Sequence, residues 1–335
     1  MNRRVPLALS LVLAMVVGAC AAGTSTPSAS GGARQALTVG LGYIPSVQFA
    51  PFYLADQAGY YRDAGLDVTF QNKIDPDLVT LVGQGAIDVG LADGTSLIPA
   101  VSQGIPVRYI ATVYRDFPSI VFAKTASGIS TAADLMGKKI GIPGRYGSSW
   151  IMLQALLGSA NLTPDDVQIV EYPDFGQGAA VQQGAVDAAT GFANNEPVQL
   201  ELAGFPTTVL HVDAIVPLPG PGLISGTGTI GSKQAAIAAF VAATLRAMAE
   251  IAADPDKGLD AAIVAVPDLA SGRATQKAIL EATIAAWKGS ASGAPGLGVI
   301  DTAGWAASLD YMTTLGLVPN PIKVEDLIRS DLLPN

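Results

Sequence analysis

Two stretches of this chain obey one rule. Gly85 to Gly94 reads GAIDVGLADG, and Gly184 to Asn195 reads GAVDAATGFANN. In each, a glycine ends a helix, an aspartate closes a turn, a short strand of small apolar residues follows, and polar residues stand at its far end. A strand that is apolar throughout is covered on both faces, as in an α/β layer. Two copies therefore predict two lobes built alike, with these stretches as equivalent strands.

The flanking segments support that plan. Around the first copy, strands are expected at Ala36–Tyr43, Leu66–Phe70 and Val107–Tyr114. Helices are expected over Ala50–Gly65, with Pro51 in the first turn, from Pro76 to about Val82, and over SLIPAVSQG. This alternation predicts a parallel sheet covered on both faces. SIVFAKT then leads into a second set from Lys138 to Gly204, and strand TTVLHV ends the second lobe. Pro221–Gly231 is expected as a return strand, and helices follow at Lys233–Ala253, Asp256–Val266, Thr275–Trp287 and Thr302–Thr314. The expected fold class is α/β: a clamshell of two doubly wound lobes, joined by two crossover strands, with a helical C-terminal extension. Residues 36–122 and 222–335 form lobe 1, and 123–221 form lobe 2.

The first residues read as an export signal. Arg3 and Arg4 precede an apolar run, Val5–Val17, that is too short to span a bilayer comfortably. It ends in VGAC, whose Cys20 is the chain's only cysteine. Residues 1–19 are thus expected to be a signal peptide and 20–35 a lipidated cysteine followed by a Gly/Ser/Pro-rich tether. No later run reads as a membrane span, so the chain is expected to be exported, held to the outer face of the cell membrane by lipid alone, and monomeric. The formal net charge is −9, and loss of Arg3 and Arg4 would leave 17 basic residues against 28 acidic ones. An acidic chain without a Lys/Arg cluster is a poor partner for nucleic acid.

Ligands of doubly wound sheets sit beyond the carboxyl ends of the strands. Aromatic residues make up only 6% of this chain, yet Tyr43, Phe49, Tyr114, Tyr146, Phe175 and Phe192 all fall at or just past predicted strand ends. Planar side chains there suit a flat, conjugated ligand; covering lobe edges is the alternative. Gln48 lies among them. Gly147 and Ser148, with Ser149, open a helix whose backbone N–H groups could hold a carbonyl, hydroxyl or anion, or could simply be capped. Asn194 and Asn195 offer donors and acceptors for a ring edge or a polyol, or form a turn. Asp93 and Glu196 could meet the ligand or serve the helices they begin. Arg115 and Arg145 would suit an anion or sit on the rim, whereas Asp88 and Asp187 read as structural turn residues.

Catalysis is not expected. His211 is the only histidine, no GxSxG elbow accompanies it, and the GxxxxGK phosphate motif is absent. One cysteine and one histidine make no metal cluster of usual spacing.

GYIPSVQFAPFYLADQAGYYRDAGLDVTF, GIPGRYGSSWIMLQALL and GFANNEPVQL resemble the solute-binding proteins of ABC importers, in the branch that covers aliphatic sulfonates, thiamine pyrimidines and riboflavin. The resemblance runs from about Leu37 to the C-terminus, and PSVQFAPFYLA and ANNEPVQL are most similar to riboflavin-binding members. VGAC itself resembles the lipobox of bacterial lipoproteins. The resemblance implies a type II periplasmic-binding-protein fold and delivery of ligand to a permease and its ATPase. It further implies an isoalloxazine ring stacked between aromatics of both lobes, with Asn, Asp, Glu and backbone groups on its imide edge and ribityl chain. Riboflavin would be cargo rather than a cofactor, and no cofactor is expected. A thiamine-precursor pyrimidine or an alkanesulfonate is the alternative ligand. Pyrimidine-synthase enzymes of this fold carry a cysteine-rich motif and an active-site histidine, neither of which this chain has.

Overall fold

Strands with apolar residues on both faces need helices on both sides, and two such layers form here. The computed structural model describes residues 33–72, 78–213, 215, 218, 220–289 and 296–334. The expected signal segment, Cys20, the first part of the tether and the start of the helix expected from Pro76 lie outside them. In chain order the first half gives β1 (Gln35–Gly40), α1 (Ala50–Gln57), α2 (Tyr60–Asp63), β2 (Leu66–Gln71), α3 (Leu78–Gly83), β3 (Val89–Ala92), α4 (Gly94–Ser102) and β4 (Val107–Thr112). Next come β5 (Ser119–Lys124), β6 (Lys139–Ile142), α5 (Gly147–Ser159), β7 (Gln168–Glu171), α6 (Gln177–Gln183), β8 (Ala188–Phe192), α7 (Glu196–Leu202) and β9 (Thr207–His211). The chain returns through β10 (Gly222–Gly226) and ends in α8 (Thr227–Ala253), α9 (Pro255–Ala265), α10 (Arg273–Lys288) and α11 (Thr302–Thr314).

One sheet has the order β2-β1-β3-β10-β4 and the other β7-β6-β8-β5-β9. The repeated stretches therefore supply the middle strand of each sheet, β3 and β8. Neither sheet is purely parallel as expected. In each, the fourth strand comes from the other half of the chain and runs antiparallel to both neighbours: β10 against β3 and β4, β5 against β8 and β9. A strand that crosses from one lobe enters the next from its far end, which forces that direction.

The shared grammar has a physical cause. Gly85 and Gly184 take φ of 75° and 76°, the left-handed conformation that lets each preceding helix end and the chain turn back. The aspartate then clamps the neighbouring strand. The Asp88 backbone N–H donates to Thr38 O at 2.9 Å while its carboxylate accepts the Thr38 N–H at 2.9 Å. Asp187 makes the same pair with Lys139, at 2.9 and 2.8 Å. Asp88 is buried and also takes Lys233 Nζ at 2.8 Å, whereas Asp187 is exposed.

Several boundaries differ from expectation. Gln35, placed in the tether, already begins β1. The helix expected over Ala50–Gly65 breaks at Gly59, whose φ is 78°. The return strand stops at Gly226, and α8 starts at Thr227 with a kink at Lys233. By length and composition α8 could cross a membrane, but half of its apolar window is buried inside the protein. Its Ile237, Phe240, Val241, Met248 and Ile251 belong to the core that α1 and α9 share. A second cluster runs from Leu97 and Ile98 of α4 into Ile142, Met152 and Leu156 of the other lobe, so apolar packing continues across the lobe boundary. The open edge of β4 is covered by the C-terminal segment: Tyr109 N–H donates to Leu327 O, and Arg329 N–H to Tyr109 O, each at 2.8 Å.

Because Asp88→Ala strands a strand N–H and leaves Lys233 only the Ala36 carbonyl, it should cost about 1–3 kcal/mol of stability. The exposed Asp187→Ala should cost clearly less. Urea unfolding of the two variants checks this, and equal losses would contradict it.

Candidate functional site

The carboxyl ends of the parallel strands of both sheets open on one cleft of about 270 Å³. Lobe 1 lines it with Tyr43, Gln48, Phe49, Asp93 and Tyr114. Lobe 2 contributes Tyr146, Gly147, Ser148, Phe175, Phe192, Asn195 and Glu196. Apart from the two arginines considered for an anion, Asn194 alone of the candidate ligand-binding residues is not part of this lining. Its Nδ2 donates to Gln48 Oε1 at 2.9 Å and to Thr283 Oγ1 of α10 at 2.8 Å. Asn194 thus ties lobe 2 to lobe 1 behind the cleft wall and orients Gln48, whose Oε1 faces it while Nε2 reaches Ser46 Oγ at 3.2 Å.

The aromatic residues come from different elements. Tyr43 and Phe175 meet edge to face across the lobes, with ring centroids 4.8 Å apart. Phe175 holds φ of 60°, an unusual conformation for a bulky residue, at the lobe 2 rim. Phe49 and Tyr114 are buried in the lobe 1 wall, and Tyr146 is 41% exposed. Tyr146 is also the N-cap residue of α5 and supplies no side-chain cap, so the helix start at Gly147–Ser149 faces the cleft.

The two acids are held differently. Asp93 caps α4, accepting from Thr95 N at 2.9 Å and Ser96 N at 3.4 Å. Burial pushes its carboxyl above the usual carboxylate range; bonds from Thr95, Ser96 and, across the cleft, Ser148 oppose the shift. Glu196 folds back over β8, where its Oε2 accepts the Phe192 N–H at 2.9 Å. Only glycine fits below it, since a Cβ on Gly191 would lie 2.7 Å from that oxygen. Burial raises Glu196 to about 7, with hydrogen bonds to Phe192 N–H, its own N–H and Asn195 acting the other way. Burial also lifts the Tyr43 phenol above its range, reinforced by the Glu196 charge.

The two arginines considered for an anion are engaged elsewhere. Arg115 lies against Gly289 and reaches Gly296 O and Val299 O. Arg145 pairs with Glu171 at 3.2 Å and stacks over Trp150. His211 ends β9 on the exposed surface, 3.8 Å from Asp213, and is not a lining residue. Among the described residues no group of His, Cys, Asp and Glu could hold a metal.

Residue-by-residue reading missed Gln177, Ser96 and the apolar wall formed by Leu41, Leu78 and Leu91. Gln177 is 1% exposed and lines the cleft, and its Oε1 has no protein hydrogen-bond partner. The signal was present in DFGQG, a polar side chain at a helix start just past a strand end.

The family described as NMT1/THI5 like matches residues 46–258. The chain belongs to this family. It is 31% identical to the riboflavin-binding protein RibY of Chloroflexus aurantiacus over 98% of this chain and 97% of that one. Against 4-amino-5-hydroxymethyl-2-methylpyrimidine phosphate synthase of Legionella pneumophila the identity is 26%, over 55% of this chain and 58% of the enzyme. Among solved structures, the alkanesulfonate-binding protein SsuA of Xanthomonas axonopodis pv. citri superposes with a TM-score of 0.67 at 18% identity, over 89% of this chain and 99% of that one. The ligand-binding component of an ABC-type import system from Staphylococcus aureus does so with 0.66 at 15% identity, over 89% and 98%. At such identities these structures establish the fold, the periplasmic-binding-protein clamshell.

A carboxyl whose folded pKa is raised binds its proton more tightly in the folded state. Its stabilisation is complete below the unfolded value of 4.5 and is lost as pH rises through about 7. A shift of that size amounts to about 3 kcal/mol. Glu196→Gln should remove this share of the pH dependence, so that the variant gains stability relative to wild type as pH rises. Thermal unfolding at several pH values checks it; a constant difference between the two proteins would contradict it.

Proposed function

We propose that this chain is the exported, lipid-anchored ligand-binding component of an ABC importer, and that it carries riboflavin or a closely related flavin. One observation carries the ligand assignment: a cleft between two lobes, lined from both sides by aromatic rings, with Gln48, Asn195 and Glu196 set among them. A flavin is planar and conjugated, so it can stack on such rings, and its imide edge needs both donors and acceptors, which carboxamides and a carboxyl supply. Whole-length similarity to a riboflavin-binding protein supports the same choice. Contacts from both lobes would favour the closed arrangement over an open one.

The similarity to pyrimidine phosphate synthases keeps a second reading, in which the same cleft carries a thiamine-precursor pyrimidine. An enzymatic role has less support, because that similarity spans about half of each chain and the only histidine lies away from the cleft.

Riboflavin fluorescence titrated with tether-free protein tests the proposal. Stacking should quench the emission, with saturation at one flavin per chain. Tyr146→Ala and Asn195→Ala should each weaken binding by about 1–3 kcal/mol. Unchanged emission at micromolar protein would contradict the flavin assignment and favour the pyrimidine.

A further inference from the structure

We infer that Asp93 and Glu196 make this cleft selective for uncharged ligands, with Asp93 of one lobe supplying the negative group that the cleft-lining start of α5 in the other lobe would otherwise take from an anionic ligand. This deepens the flavin reading and rests on it for the choice of probes.

A helix start with free backbone N–H groups is an anion site by construction. Here that start, Gly147 to Ser149, faces the cleft without a side-chain cap from Tyr146. Two observations show that it is not left for a ligand anion. Asp93 stands on the facing lobe, is 8% exposed and lines the same cleft as Gly147 to Ser149. Further along the cleft Glu196, also 8% exposed, adds a second buried carboxyl. No lysine, arginine or histidine occurs among the described lining residues. Arg115 and Arg145 are bound to other partners. An incoming phosphate or sulfonate would meet two carboxyls in a poorly solvated space with no cation among the described lining residues to offset them, and like charges so placed repel strongly. A neutral ring with hydroxyl and imide groups meets hydrogen-bond partners instead.

Riboflavin and flavin mononucleotide share one ring system and differ by a phosphate, so they make a clean pair. In mildly alkaline buffer the wild-type chain should bind flavin mononucleotide at least about tenfold more weakly than riboflavin. Calorimetry should show no binding of ethanesulfonate. Asp93→Asn keeps a good helix cap and should narrow the riboflavin preference several-fold while admitting ethanesulfonate. Glu196→Gln should narrow the preference independently, so loss of one variant to misfolding leaves the other to decide. Flavin mononucleotide binding within about threefold of riboflavin, wild-type binding of ethanesulfonate, or an unchanged preference in both variants would overturn the inference. Should neither flavin bind, the flavin reading fails while the charge rule is decided by hydroxymethylpyrimidine against its phosphate. A preference for the neutral pyrimidine supports the rule, and equal binding of the two, or of neither, overturns it.

Discussion

Neither sheet of this protein can be completed by its own half of the chain. The fourth strand of one, β10, arrives from the second lobe, and the fourth strand of the other, β5, arrives from the first. Each inserted strand pairs on both sides, so the two crossings are anchored by full ladders rather than by loops. The crossings hold the two rims of strand ends against a common gap. Everything proposed for function depends on that arrangement, because the ligand wall is assembled from short segments that are otherwise far apart in sequence. The α4–α5 core and the Gln48–Asn194–Thr283 hydrogen bonds join the lobes at further points. Movement of one lobe against the other must break or carry these contacts, so they set the cost of opening.

Within the gap, burial does most of the chemical tuning. Glu196 would be an ordinary carboxylate on the surface; tucked over Gly191 it becomes an acid that holds its proton to about 7. Asp93 pairs structural work with exposure to the cleft, since capping α4 fixes its carboxyl opposite α5. The same burial makes the orphan Oε1 of Gln177 a strong place for a ligand donor, because an unpaired buried acceptor costs about 1–3 kcal/mol until it is met.

Much of this was legible in the sequence because the fold is written in local rules. A left-handed glycine, an aspartate that closes the turn and a run of small apolar residues identify β3 and β8 without any knowledge of their neighbours. The placement of six aromatic residues past strand ends was legible for the same reason, and all six line the cleft. What escaped was whatever tertiary context decides. The antiparallel direction of β5 and β10 follows from the crossing, not from their composition. Asn194 and Asn195 are adjacent and chemically identical, yet only the turn after β8 determines that Asn195 faces the cleft while Asn194 faces Gln48 and Thr283. Arg115 and Arg145 looked available for an anion until their partners were placed. Gln177 was hidden because its neighbour Phe175 carried the more obvious signal.

A crystal structure of the chain with riboflavin would test the central claim most directly. The account predicts one flavin in the gap, its ring among Tyr43, Tyr146 and Phe175 and its polar edge at Asn195 and Glu196. Flavin density outside the gap, or a gap filled by the protein's own side chains in the presence of saturating flavin, would contradict it.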